Sequence, residues 1–303
     1  MKAVALRFQR PDRDKVWRLG CFAIAWFALA WIILDLRMMV LFHIPFWPDA
    51  GVYWRTWHGP MYGETASLKF EAFHYSPAAA LALWPLSQLP EAVFYMIWSA
   101  IGTAAYVWML RPLPMASRIP AIAAGVLFTV NGNMEWLLAL VCILGMRWPA
   151  LWLIGLFTKV SPFVGFGWFV FRGEWRAVAW TAAYAVAIFA VSAVLLPGEW
   201  PKWVGMLGTL GSETAATFSY NSLMPPVPFV VRGAVAFGLV VWGARKNRPF
   251  VLPLVVALAQ PDWQPWAFGL LAAVPRLMQT PTEPAGPTES IFAKFGRRLQ
   301  TRR

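Results

Sequence analysis

Two charged residues stand where charge is expensive. Asp49 follows a long apolar run and lies in Phe46-Trp47-Pro48-Asp49-Ala50-Gly51-Val52-Tyr53. A carboxylate among aromatic residues at a membrane face is costly unless it has a partner or a task. One task is general base catalysis, in which an ionised carboxylate takes the proton of a hydroxyl. The competing reading is a cap on a short surface helix. Lys159 lies in Gly155-Leu156-Phe157-Thr158-Lys159-Val160-Ser161-Pro162, inside an apolar segment. A mid-span lysine costs about 3 kcal/mol on insertion scales, which makes it a functional candidate, an ammonium able to hold a phosphate or diphosphate as a point charge. Its structural alternative is snorkelling to an interface. Pro162 frees a backbone carbonyl and bends a helix there.

Weaker candidates surround these two. Arg55, His58 and His74 share the loop of Asp49 with Glu64, Lys69 and Glu71, and the last three read as surface salt bridges. Asn221 and Ser222, in Ser219-Tyr220-Asn221-Ser222-Leu223, either orient a polar ligand or make an ordinary turn. Asn131-Gly132-Asn133-Met134-Glu135 reads as a polar hairpin between two short apolar runs, and Pro261-Asp262-Trp263 as a similar turn. Cys21 and Cys142 both lie in apolar runs and read as small core residues. No phosphate-binding loop, dinucleotide fingerprint, metalloprotease His motif or Cys-pair zinc spacing occurs.

The elements that must position these residues are membrane spans. The chain of 303 residues is 59% hydrophobic and only 13% charged, against about a quarter charged in soluble domains. Runs suited to spanning occupy 17–42, 77–89, 92–110, 119–130, 134–146, 150–171, 177–196, 227–244, 250–260 and 265–277. The expectation is an all-α polytopic integral membrane protein of about ten transmembrane helices, with amphipathic helices in the first non-cytoplasmic loop. Residues 1–278 form a single transmembrane domain carrying two long non-cytoplasmic loops, 43–76 and 197–226. Residues 279–303 form a cytoplasmic basic tail, with an interfacial pattern that fits anionic headgroups.

The net charge of +12 does not point to nucleic acid, because the basic residues cluster at the termini and between apolar runs. With both termini cytoplasmic, the far side of the membrane carries only Arg55, Lys69, Arg111, Arg118, Arg147 and Lys202 outside the spans. The positive-inside rule therefore favours this orientation. The 20 Trp suit interfacial belts. The first apolar run starts late, is long, and lacks a small-residue cleavage site, so it reads as a span and not as a cleaved signal.

Several short segments, in this order, resemble glycosyltransferase family 87, within the C-type superfamily of polyprenyl-phosphate-sugar-dependent membrane transferases. They are Asp49-Ala50-Gly51-Val52-Tyr53, Gly59-Pro60-Met61-Tyr62, Phe73-His74-Tyr75-Ser76-Pro77, Pro85-Leu86 and Leu89-Pro90, followed by Gly132-Asn133-Met134-Glu135, Lys159-Val160-Ser161-Pro162 with Arg172-Gly173-Glu174-Trp175-Arg176, and Tyr220-Asn221-Ser222-Leu223. Two departures stand out. Glu135 takes the place of a usual amide, and Asp262-Trp263-Gln264-Pro265-Trp266 lacks the histidine of a late family motif.

The resemblance implies an inverting transfer of a mannose- or pentose-like sugar outside the cytoplasm. The donor is a sugar on a polyprenyl monophosphate, and the acceptor a hydroxyl of a glycolipid or glycan. Asp49 matches the superfamily's catalytic base. Lys159, Arg55, His58, Asn221, Ser222 and Tyr75 are the expected donor-binding residues. Tyr53, Glu135, Asp262 and Trp263 are the acceptor or loop candidates. No cofactor is expected, and dependence on a divalent metal stays open. The expected location is the inner cell membrane. The rival reading is a non-catalytic lipid-linked-sugar binding protein or translocator, which shares the Lys159 phosphate site and needs no base. A secondary transporter predicts an inverted repeat and midplane acids, and the sequence offers neither.

Overall fold

The computed structural model describes residues 13–41, 48–62, 73–216, 227–260 and 265–279, and every regular element among them is helical. In chain order these are α1 (Arg13–Leu41), α2 (Pro48–Arg55), α3 (Pro77–Ser87), α4 (Glu91–Leu110), α5 (Met115–Val130), α6 (Glu135–Leu144) and α7 (Trp152–Phe157). After a 3-10 segment, Ser161–Phe166, come α8 (Gly167–Phe171), α9 (Trp175–Leu195), α10 (Glu199–Ala216), α11 (Phe229–Lys246) and α12 (Leu252–Ala259). A second 3-10 segment, Pro265–Ala273, leads into α13 (Val274–Gln279). Asn221, Ser222, Asp262, Trp263 and the basic tail lie outside the described residues.

Three helices contain stretches long and apolar enough to cross a membrane: Asp14–Met38 of α1, Glu91–Leu110 and Trp175–Leu195. Along α9, Trp180, Tyr184, Val186 and Val194 are exposed. A contiguous apolar face of this kind suits lipid and not water. The architecture is thus all-helical and consistent with a membrane protein.

Contacts sort the bundle into two ends. At one end, Asp14, Lys15 and Arg18 of α1 line a cleft with Pro114, Ala116 and Ser117, and the guanidinium of Arg276 donates to Trp108 O at 2.7 Å. The start of α1, the α4–α5 turn and α13 therefore share this end. At the opposite end, α2 meets the α5–α6 turn. A Cβ on Gly132 would lie 2.5 Å from Ala50 N, and Trp98 Nε1 donates to Gly132 O at 3.0 Å.

Four expectations change here. The run at 77–89 is not laid out as a span. Trp57 Nε1 donates to Ala80 O and Trp54 Nε1 to Leu89 O, both at 2.8 Å, so α3 lies along α2. Its 11 residues extend only about 16 Å at 1.5 Å per residue, half of a hydrocarbon core of roughly 30 Å.

Because α3 turns back, α4 starts at the α2 end. The 111–118 turn therefore falls beside the start of α1, opposite to the expected side. Arg147 moves with it, since α6 descends from Glu135 at the α2 end.

The run at 150–171 is a hairpin and not one continuous span. α7 ends at Phe157, and Val160 adopts a positive φ of 56°. The two arms then pack together, with the Gly155 Cβ position 3.2 Å from Pro162 Cβ and Trp152 lying against Gly165. Proline disfavours helical geometry in the residue before it and lacks an N–H, which is why the helix stops short of Pro162. Finally, the expected 197–226 loop is helical over Glu199–Ala216.

Candidate active site

The α2 end gathers the charged residues. Asp49 occupies the first turn of α2, and Tyr53 lies one turn on, four residues away, so both share a helix face. Asn133, only 3% exposed, donates through Nδ2 to Asp49 Oδ2 at 3.3 Å. The other end of the same amide, Oδ1, accepts the Glu135 backbone N–H at 2.9 Å. That donor fixes the amide's orientation, because an N–H can only be met by the oxygen. The Asn133 side chain thus has a donor group facing the carboxylate.

Lys159 sits at the apex of the α7 hairpin, at the same end. Its ammonium pairs with Glu135 Oε1 at 2.8 Å, and Gln260 Nε2 donates to the same oxygen at 3.1 Å. The Lys159 side chain is 21% exposed and that of Glu135 1%. Burying such a pair is tolerated only with good geometry and added hydrogen bonds, and Gln260 supplies one. Among the described residues, Glu135 Oε2 is buried without a partner, as are Ser161 Oγ and His74 Nε2. The Lys159 ammonium is therefore held by an acidic partner within the bundle.

The hairpin is tied to the α3 lead-in. Ser76 donates to Phe157 O through both its hydroxyl, at 2.6 Å, and its backbone N–H, at 3.0 Å. Tyr75 and Tyr53 hydroxyls lie 3.0 Å apart. Trp203 of α10 donates to His74 O at 3.1 Å, and Trp200 packs edge-on against Phe157. An irregular apex at membrane depth is tolerated where protein or a polar cavity satisfies it, and these contacts perform that role.

The electrostatics follow from burial. Burial pushes the Asp49 carboxyl up to about 6, and the negative charge of Glu135 adds to the rise. The positive charge of Lys159 and the Asn133 hydrogen bond pull the other way. Burial first, then Lys159, holds the His74 imidazole below its usual value. Burial first, with the negative charges of Asp49 and Glu135, raises both Tyr53 and Tyr75, outweighing the opposing pull of Lys159 and the Tyr53 hydroxyl on Tyr75, so both phenols stay neutral hydrogen-bonding groups.

The structure brings Asp49, Tyr53, Tyr75, Glu135 and Lys159 together. Arg55 and His58 stand apart from them. Arg55 lies over Gly51 near Tyr95, and exposed His58 stacks on Trp54 at 3.9 Å and bonds Trp54 O. Sequence reading missed Asn133 as a partner of Asp49 and Gln260 as a partner of Glu135. The repeated amide in Asn131-Gly132-Asn133 was a usable signal for the first. A lone Gln closing an apolar run was hardly one for the second. Among the described residues, no group of three or more His, Cys, Asp or Glu side chains is arranged to hold a metal ion.

No curated protein and no solved structure matches the chain. The model of glycosyltransferase family 87 matches residues 73–288. The match takes in the α7 hairpin, Asn133, Glu135 and Gln260 but begins after Asp49, so the reading of Asp49 rests on its geometry. With most of its length matched, the chain belongs to glycosyltransferase family 87.

Proposed function

We propose that this membrane glycosyltransferase moves a mannose- or pentose-like sugar from a polyprenyl-phosphate donor to a hydroxyl of a glycolipid or glycan, with Asp49 as general base. The observation that carries the reading is Asp49, clamped by Asn133 beside the Lys159–Glu135 pair. The acceptor oxygen attacks the anomeric carbon on the face opposite the donor phosphate. Its proton passes to Asp49, the carbon–oxygen bond to phosphate breaks, and the electron pair departs with polyprenyl phosphate. Attack from the opposite face inverts the anomeric centre. Lys159, whose side chain is 21% exposed, meets the developing phosphate charge, and charge placed ahead of the reaction is effective there.

The site works on the non-cytoplasmic side of the inner membrane, opposite both tails. With Arg111 and Arg118 in the turn beside the start of α1 and Arg147 at the far end of α6, Arg55 and Lys202 are, among the described residues, the basic side chains left on the site's side outside the packed segments. That asymmetry supports the orientation more strongly than the linear reading did.

The test uses purified protein in liposomes with prenyl-phosphate mannose, arabinose or glucose and a glycolipid acceptor, following release of polyprenyl phosphate. Asp49→Asn should lower turnover by about 10² or more while thermal stability and donor binding persist. Wild-type kcat should fall as pH drops through about 6, where Asp49 takes up its proton. Full turnover in Asp49→Asn overturns the base, and movement of donor across the bilayer without release of polyprenyl phosphate identifies a translocator.

A further inference from the structure

We propose that Asn133 is the positioning residue of the transfer, an amide that aims the Asp49 carboxylate from the docked α5–α6 turn. The inference rests on Asp49 as the base and goes beyond it by assigning the group that makes it competent. Among the described residues, the Asn133 amide supplies the one side-chain hydrogen bond given to Asp49.

Both ends of that amide are committed, one to Asp49 and one to the Glu135 N–H, so it cannot turn away without orphaning a buried donor. The turn that carries it is equally constrained. Gly132 holds a φ of 82°, its carbonyl accepts from Trp98, and it sits too close to Ala50 N for any side chain. The α5–α6 turn is therefore docked onto the first turn of α2, and Asn133 is the rigid arm between them.

Other groups around Asp49 do not replace this arm. Tyr53 on its own helix faces Tyr75 at 3.0 Å. Lys159, from the hairpin apex, is paired with Glu135 of α6 and makes no direct ion pair with Asp49. His74 lies on the Lys159 side of the site. On the far face of α2, Tyr95 of α4 approaches Gly51 and donates to Glu91. A donor hydrogen bond to a carboxylate favours its ionised form. Removing it leaves the charge of Lys159 alone to oppose burial and Glu135, so the proton affinity of Asp49 rises.

The experiment compares Asn133→Ala, Asn133→Asp and Asp49→Asn in the liposome assay, with kcat, donor KM and thermal stability measured from pH 5 to 8.5. Asn133→Asp keeps an oxygen for the Glu135 N–H and so preserves the turn, but offers Asp49 no donor and adds a like charge. Both Asn133 variants should lose ten- to hundredfold in kcat at neutral pH with donor KM within twofold. The acid limb should move upward from about 6, further in Asn133→Asp, so that part of the loss recovers at pH 8.5.

An inactive Asp49→Asn beside Asn133 variants with unchanged kcat and acid limb overturns the positioning role alone. A kcat loss in the Asn133 variants with an unmoved limb and lowered thermal stability also overturns it, reducing Asn133 to a structural residue. An active Asp49→Asn instead overturns the base on which the proposal stands.

Discussion

At the residue scale, the decisive fact is that Lys159 does not stand alone. From sequence its partner was open, because Glu135 lies 24 residues away, at the end of a segment that reads as a simple polar hairpin. Breaking a buried pair costs about 3–5 kcal/mol, since the remaining charge stays buried, whereas replacing both partners by neutral groups is far cheaper. Lys159→Met should therefore lower stability by about 3 kcal/mol, the low end of that range given the partial exposure of the lysine. Lys159→Met combined with Glu135→Gln should regain most of that loss. Detergent-solubilised melting curves measure both. If the double variant also fails to release polyprenyl phosphate, the ammonium acts on substrate; if it turns over normally, the pair is structural only.

At the element scale, two local breaks create the site. The α7 hairpin lifts Lys159 to the α2 end because Pro162 ends the helix and Gly155 and Gly165 let the two arms close. The α5–α6 turn brings Asn133 in because Gly132 alone fits against Ala50 at a positive φ. Gly132→Ala carries both penalties. A left-handed backbone costs a residue with a Cβ about 1–2 kcal/mol, and the new methyl meets backbone atoms that cannot swing aside. The expected result is a fall of several degrees in Tm, together with more than tenfold loss of kcat as Asn133 is displaced from Asp49. Gly20 and Gly198, where an added Cβ meets nothing within 4 Å, are the matched controls: alanine there should leave kcat unchanged.

At the scale of the whole molecule, the turning back of α3 reassigns the side of the α4–α5 turn and, with it, of Arg147. It places the α4–α5 turn beside the start of α1 instead of beside Asp49. Single cysteines in a background lacking Cys21 and Cys142 test this in sealed vesicles with an impermeant thiol reagent. Met115→Cys should label from the same side as Asp14→Cys, and His58→Cys from the opposite side. Labelling of Met115→Cys together with His58→Cys would restore the linear reading of the topology. The docking of α10 belongs to the same scale: Trp203 reaches the backbone of His74, 129 residues away in the chain, closing the site's edge with a helix where only a loop was expected.

The sequence by itself determined the solvent and the class of the fold. Its apolar load needs lipid, its runs mark where helices form, and its costly charges at 49 and 159 single out the residues worth watching, because burial of charge is penalised wherever the chain goes. The family membership was legible too, in short motifs whose order, more than any one spacing, carries the likeness. What only the tertiary structure decided is which polar groups meet. Asn133, Glu135, Lys159 and Gln260 are separated by spans of apolar sequence that say nothing of register, and whether a run crosses the bundle or folds back depends on backbone closure at a glycine, a proline or a tryptophan contact. Hydropathy is a sum over residues and survives any arrangement of them; a hydrogen bond of about 3 Å exists in only one.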